Sequence, residues 1–412
     1  MSEKYYMLGV CGMGMAPLSA FLKDGGADIR GFDDCPNIQL KTKLENCGII
    51  FEPLHEIEPD RQIIISSALK RRTDEIAKLT GCKNISRRGE CWSKICSTRK
   101  LTAIVGSHGK STVSALLAHA IRKKNADSGY LVGAIPTNFP MHKYCENDKP
   151  LISEIDESDG TIEEFNPTVC VALNADLDHT DTYANTQKLE EMFERLFART
   201  KKIVIYPESD TMLARIAQRS KTPSRAVKVE GGFIQINQAM AKVAYEETFG
   251  EKLDNDIFDD FKGLLRRQEV ICDTPKLRVI ADYAHHPTEV KSFLDWFCNT
   301  FNGEKIILFQ PHRYTRTRKF AEDFAKILDS YSNVNSQVIL LPVYPASEPF
   351  DPLGESDAIS SKSGSIMLAK PSDFFKIVAD KLNDAKTQKV SVAIVGAGDF
   401  YFSAKDFFST LK

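Results

Sequence analysis

An apolar segment that ends in Gly106-Ser107-His108-Gly109-Lys110-Ser111-Thr112 and runs on into a helical stretch constrains this chain more than any other feature. Residues 101–105 read as a strand and 113–123 as a helix. A strand–turn–helix unit of this kind belongs to a parallel sheet covered by helices. The glycines let the backbone turn tightly and aim N–H groups at a phosphate, while the helix N-terminus adds partial positive charge. Lys110 can then neutralise β- and γ-phosphates, and the Ser111 hydroxyl can ligate Mg²⁺. The generic loop needs a glycine five residues before the Gly-Lys pair. That position is Ile104, so the chain carries a shorter Gly-x-x-Gly-Lys-Ser form. The alternative is an ordinary Gly-rich turn without a nucleotide.

The same rhythm recurs along the 412 residues. Residues 5–10 read as a strand, 16–24 as a helix, and 28–32 as a strand ending in Asp33-Asp34. Residues 62–65 form a strand ending in Ser66-Ser67. Further strands are expected at 151–153, 168–173, 277–281 and 390–395, and a Ser-, Pro- and Gly-rich loop at 346–365. The expected fold is therefore α/β in three domains, 1–98, 99–272 and 273–412. The charged stretch Cys96-Ser97-Thr98-Arg99-Lys100 marks the first boundary.

Composition narrows the function. Lys and Arg total 54 against 56 for Asp and Glu, a net charge of −2, which argues against a strongly basic nucleic-acid binder. No apolar run approaches the ~20 residues needed to cross a bilayer. The first residues lack the order of a signal peptide, so a cytoplasmic protein without membrane attachment is expected. The ten cysteines are scattered with no Cys-x-x-Cys pair, and are expected as reduced, buried hydrophobes.

Five further segments carry chemistry. Gly9-Val10-Cys11-Gly12-Met13-Gly14 follows the first strand with spacing G-x-x-G-x-G, not the dinucleotide fingerprint G-x-G-x-x-G. With an acid at Asp33 or Asp34 placed to take ribose hydroxyls, it favours a diphosphate-sugar or nucleotide site over NAD; a tight turn without a ligand is the alternative. Ser153-Glu154-Ile155-Asp156-Glu157-Ser158-Asp159 follows a strand, where a Mg²⁺ ligand or a solvated acidic loop would sit. In residues 174–181, His179 among carboxylates suits a metal, a phosphate or plain solvent. Asp282-Tyr283-Ala284-His285-His286-Pro287-Thr288-Glu289 and Phe309-Gln310-Pro311-His312-Arg313-Tyr314-Thr315-Arg316-Thr317-Arg318 each follow a strand and open a helix. The second is densely cationic. Its guanidinium forks suit a carboxylate or phosphate, with a solvated basic turn as the alternative.

Taken in order, these segments resemble the Mur ligase family, helped by Gly396-Ala397-Gly398-Asp399 after the last strand and, more loosely, by residues 343–348. The likeness spans nearly the whole chain. His-His-Pro-Thr-Glu followed by Phe-Gln-Pro-His-Arg-Tyr-Thr-Arg looks like the alanine-adding branch more than the branch that recycles murein peptide. The resemblance implies a Rossmann-like N-terminal domain for a UDP-sugar, a central P-loop domain for ATP, and a Rossmann-like C-terminal domain for the amino acid. It implies that the carboxylate of UDP-N-acetylmuramic acid becomes an acyl phosphate, which L-alanine then attacks. Its substrates are small molecules, and a monomer or weak homodimer is expected.

Carried over residue by residue, the resemblance assigns ATP to Gly106, Ser107, His108, Gly109, Lys110, Ser111, Thr112, Asn237 and Asp282. It assigns metal to Ser111, Glu154 and His179, and the UDP-sugar to Gly9, Gly12, Met13, Gly14, Met15, Asp33, Ser66 and Ser67. The amino acid and phosphate fall to His285, Arg313 and Arg316. Catalysis falls to Lys110, His179, Arg313 and His285, the last as a base for the incoming amine. Two departures stand out. Only about 25 residues separate the strand near 202–206 from the expected adenine-binding helix, so the central domain is shortened and a small antiparallel sheet is expected to be missing. At that helix the family's Gly-x-His-Asn-x-x-Asn-Ala becomes Gly231-Gly232-Phe233-Ile234-Gln235-Ile236-Asn237-Gln238. A UDP-sugar-binding homologue without turnover is the alternative these departures suggest. A nicotinamide-dependent oxidoreductase would rest on Gly9 to Gly14 alone.

Overall fold

The computed structural model describes residues 3–34, 36–66, 69, 73–81, 84–157, 160–177, 182–346, 348–384 and 389–411. Two expected site residues, Ser67 and His179, lie outside them. The chain divides into two compact units, Met1–Lys262 and Gly263–Lys412.

Among the described residues, the first unit holds two sheets. The first contains β1 (Lys4–Leu8), β2 (Asp28–Phe32), β3 (Ile50–Phe51), β4 (Gln62–Ile65) and β5 (Ile85–Arg87), in spatial order β3-β2-β1-β4-β5 and all parallel. Its helices are α1 (Met15–Asp24), α2 (Ile38–Asn46), α3 (Thr73–Thr80) and α4 (Arg88–Ser97). The second sheet follows as β6 (Lys100–Val105), α5 (Lys110–Lys123), β7 (Gly129–Leu131), β8 (His142–Lys143), β9 (Pro150–Glu154), β10 (Val169–Ala172), α6 (Thr186–Arg199), β11 (Ile203–Pro207), α7 (Thr211–Arg219), β12 (Ser224–Val227) and α8 (Phe233–Phe249). Its order is β12-β11-β10-β6-β9-β7-β8, with β8 antiparallel to β7.

The shortened stretch ahead of α8 holds only α7 and β12. β12 extends the parallel sheet beside β11, and among the described residues there the chain forms no separate antiparallel sheet.

The second unit carries β13 (Glu269–Asp273), β14 (Leu277–Asp282), α9 (Pro287–Thr300), β15 (Lys305–Phe309), α10 (Tyr314–Ser330), β16 (Ser336–Leu340), α11 (Asp357–Ser360), β17 (Met367–Leu368), α12 (Pro371–Asp384), β18 (Val390–Val395) and α13 (Phe400–Ser409). The order is β13-β14-β18-β15-β16-β17, with β13 antiparallel to β14. Residues 269–272, which the sequence reading put at the end of the central domain, thus pair into the last sheet. The loop expected at 346–365 includes the short helix α11.

Strands such as β4, β6, β10 and β18 are covered on both faces, so their residues run apolar without alternation. Ile63, Ile64 and Ile65 are fully buried, as are Val392 and Ala393. The helices instead bury one stripe. In α6 that stripe is Leu189, Met192, Phe193, Leu196 and Phe197, spaced three and four apart. Side-chain caps start several helices: Asn37 for α2, Asn185 for α6 and Asp210 for α7 each accept a backbone N–H two residues into the helix. The result is to bring the loops after β1, β6, β9, β10, β14, β15 and β18 to the carboxyl ends of their sheets, where open α/β sheets bind ligands. Among the described residues no helix is long and apolar enough to cross a membrane.

Candidate active site

The loop after β1 is held from three sides. Gly9 has φ +79, and a Cβ there would meet Ser66 Oγ at 3.0 Å. Asp33, at the end of β2, accepts the Cys11 N–H at 2.9 Å. It thus anchors the loop from the end of the neighbouring strand. Against Gly14 lies a residue the sequence reading did not single out: the Arg88 guanidinium comes within 3.0–3.1 Å of where a Cβ would sit. Met13 is exposed at the loop's rim. Met15 differs from expectation. It opens α1 with its side chain buried in the core and its N–H bonded to Gly12, so its side chain supports the loop from beneath rather than meeting a sugar.

The loop after β6 is fastened by the segment after β10. The Asn174 side chain accepts from His108 N at 2.9 Å and donates to His108 O at 3.0 Å. Ser107 Oγ donates to Asp176 O at 2.6 Å, and His108 Nε2 lies 3.4 Å from an Asp176 carboxylate oxygen. Gly106 and Gly109 have φ +126 and +83. A side chain at 109 would also meet Asn237 Oδ1 at 2.9 Å, so glycine is required twice over. This places Asn237 against the loop itself. Phe233 and Ile234 are half-buried in the first turn of α8.

Lys110 opens α5 and turns its ammonium back into the loop. Its Nζ donates to Gly106 O at 2.5 Å and to both Glu157 oxygens, at 3.0 and 3.2 Å. Glu157 is 2% exposed, and its backbone carbonyl accepts from the Tyr183 hydroxyl. Burial alone would lower the Lys110 pKa, but Glu157, Asp156 and Glu154 outweigh it and raise the value. Ser111 and Thr112 complete that first helical turn.

Glu154 ends β9 beside Ser111. Burial raises its carboxyl pKa, against the opposing pull of Lys110 and a Ser111 hydrogen bond. One of its oxygens, Oε2, is buried and has no hydrogen-bond partner among the described residues. A Cβ on Gly133 would fall 1.6 Å from the other. A buried carboxylate oxygen without a donor, next to a serine hydroxyl at a phosphate loop, fits a hard divalent cation.

In the second unit, Asp282 ends β14 with both oxygens bonded to backbone: Oδ2 accepts Gln268 N and Oδ1 accepts Ala284 N, each at 2.9 Å. Burial raises its pKa to about 6. His285 Nδ1 lies 2.9 Å from Tyr283 O. A Glu289 carboxylate oxygen lies 3.3 Å from the same nitrogen; both groups only accept, so Nδ1 carries a proton and Nε2 is the ring nitrogen left to take one up. The His285 and His312 rings are 5.8 Å apart, and His312 stacks on Tyr344. Burial, helped by His285, Arg316 and Arg313, lowers the His312 pKa to about 2, so its ring is neutral. Arg313 caps α10 at φ +72 and ψ 133, a region almost reserved for glycine. Its N–H bonded to Tyr344 O and its carbonyl bonded to Thr317 hold it there. Arg316 follows in the first turn of α10. His285, Arg313 and Arg316 are therefore brought together around His312, and Gln310 ties this strand end to the next by accepting Phe400 N.

Comparison with known proteins fits this chemistry. Residues 104–262 match the Mur ligase middle domain, and residues 266–393 match the Mur ligase glutamate ligase domain. The chain belongs to the Mur ligase family. The UDP-N-acetylmuramate–L-alanine ligase of Fusobacterium nucleatum is 29% identical, with 84% of each chain covered. That of Francisella philomiragia is 28% identical over 97% of this chain and 98% of its own. Among solved structures, the UDP-N-acetylmuramate–alanine ligase MurC of Thermotoga maritima shares the fold, with a TM-score of 0.78 at 21% identity over 100% of this chain and 99% of its own. A murein peptide ligase of Psychrobacter arcticus follows at 0.71 and 18%, with the same coverage.

Within this Mur ligase, sequence reasoning found the glycine loops and the strand-end acids but missed Glu157, Asn174 and Arg88. Glu157 and Asn174 stood inside segments already noticed. Nothing local says which acid faces Lys110, or that Asn174 clamps a loop 66 positions earlier. Arg88 opens α4, and only the placement of β5 beside β4 brings it to the first loop.

Proposed function

We propose that this Mur ligase joins L-alanine to the carboxylate of UDP-N-acetylmuramic acid, using ATP. One observation carries the reading: Lys110, Ser111 and Glu154 converge at one phosphate loop in a chain that aligns almost end to end with alanine ligases. A carboxylate attacking a γ-phosphate is anion meeting anion, so cations must offset the repulsion. Lys110 supplies one charge once ATP draws it from Glu157. Mg²⁺ held by Ser111 and Glu154, with His179 as a further ligand, would supply the rest.

The loop N–H groups and the start of α5 hold the triphosphate, with Asn237 beside them; Asp282 is assigned to ATP as well. The loop from Gly9 to Gly14, with Ser66, Ser67 and Asp33, holds the UDP-sugar. The carboxylate oxygen bonds to the γ-phosphorus as the bond to ADP breaks. The alanine nitrogen then bonds to the acyl carbon, phosphate leaves, and the amine proton passes to His285 Nε2. Arg313 and Arg316 pair with the alanine carboxylate and the departing phosphate. Three domains as read from the sequence, a cytoplasmic setting and a monomer or weak homodimer complete the proposal.

The test is phosphate release by purified protein with ATP and Mg²⁺, with UDP-N-acetylmuramic acid and L-alanine added singly and together. Release that needs both substrates is expected. Release unaffected by the sugar, or none with both present, overturns the reading. Release with an L-alanyl peptide in place of L-alanine would move the chain to the peptide-recycling branch.

A further inference from the structure

Arg88 stands where two loops of the first unit meet. It is the first residue of α4, directly after β5. Its Nε, Cδ and Cζ all lie 3.0–3.1 Å from the position of a Cβ on Gly14, so the guanidinium covers the face of the glycine loop that only a missing side chain leaves open. Its Nη2 lies 3.5 Å from the Asp156 carboxylate, two residues beyond Glu154. The Arg88 side chain is 17% exposed and Asp156 34%.

This ion pair is too long for a good charge-assisted hydrogen bond, which falls near 2.7–2.9 Å. A planar fork lying on a glycine loop at the carboxyl end of a parallel sheet is the arrangement that binds a diphosphate bidentately. We propose that Arg88 is a ligand of the UDP-sugar's diphosphate, and that Asp156 parks its guanidinium when the loop is empty. The inference rests on the UDP-sugar reading of the first loop. It adds the cation which that loop, built of glycine and apolar side chains, does not itself contain.

The experiment is calorimetric titration of the full-length protein with UDP alone, then with UDP-N-acetylmuramic acid, then with ATP·Mg²⁺. Arg88→Ala is expected to weaken UDP at least tenfold, the scale of one hydrogen bond to a charged group, and to leave ATP unchanged. Arg88→Lys keeps the charge but loses the fork, and is expected to recover only part of the affinity. Asp156→Asn separates a ligand from a strut. If Arg88 binds diphosphate, this variant binds UDP as tightly as wild type or tighter. If Arg88 merely braces Asp156, it weakens UDP as Arg88→Ala does, and the proposal fails. Normal UDP binding by Arg88→Ala also overturns it, including when only UDP-N-acetylmuramic acid is weakened, because the guanidinium would then serve the sugar's carboxylate. Wild-type protein that binds neither UDP ligand would instead refute the sugar reading beneath it. Thermal melts of each variant report folding separately.

Discussion

Replacing Lys110 with methionine should destabilise the protein even with no nucleotide present. The lysine is usually valued for what it does to phosphate, yet here its ammonium sits 3.0 and 3.2 Å from both oxygens of a carboxylate that is 2% exposed. Removing one partner of a buried pair costs about 3–5 kcal/mol, because the other charge stays buried without it. At about 2–4 °C per kcal/mol for a unit of this size, the melting temperature should fall by roughly 6–20 °C. Glu157→Gln in the same background removes the stranded charge and should restore most of the loss. Four melts without nucleotide form the cycle: wild type, the two single variants and the double variant. A coupling of about 2 kcal/mol or more between positions 110 and 157 is expected, toward the upper end for residues in contact. Lys110→Met melting with wild type, or additive single effects, would refute the argument that the resting loop is held by this pair.

Two further outcomes follow from the second unit. Asp282 has a folded pKa raised to about 6 from 3.8, so its stabilising share is fully present below about pH 4 and is lost as pH rises through 6. The change is about 3 kcal/mol at 1.36 kcal/mol per unit. Denaturant titrations between pH 4 and 7 should show that loss in wild type and a flatter profile in Asp282→Asn. Arg313→Gly should relieve the φ of +72 and leave the melting temperature unchanged or raised by a gain of about 1 kcal/mol in folding stability, while raising the KM for L-alanine at least tenfold. A lower melting temperature with unchanged KM would show that Arg313 serves the fold alone.

The sequence showed what is local and missed what depends on register. A glycine loop between an apolar strand and a helix can be read in a dozen residues, because the φ values of Gly9, Gly106 and Gly109 and the absent side chains are properties of the loop itself. The strand-end acids Asp33, Glu154 and Asp282 were legible for the same reason. Their partners were not. Asp33 bonds to Cys11 only because β2 lies in register beside β1, and Lys110 meets Glu157 through the pairing of β6 with β9. The strand at 269–273 was not read because β13 is an antiparallel edge strand. It buries only Ile271 and Cys272, whereas five of the six residues of the β14 that follows are buried.

The clamp between Asn174 and His108 has a consequence for how such a sequence can drift. The two residues exchange a pair of bonds across 66 positions, backbone to side chain in both directions. The loop takes part of its shape from another strand end. Any change at 174 is then felt as a change within the loop, and a different residue there demands a matching adjustment at 107–109. The two segments, distant in the chain, behave as one part of the fold.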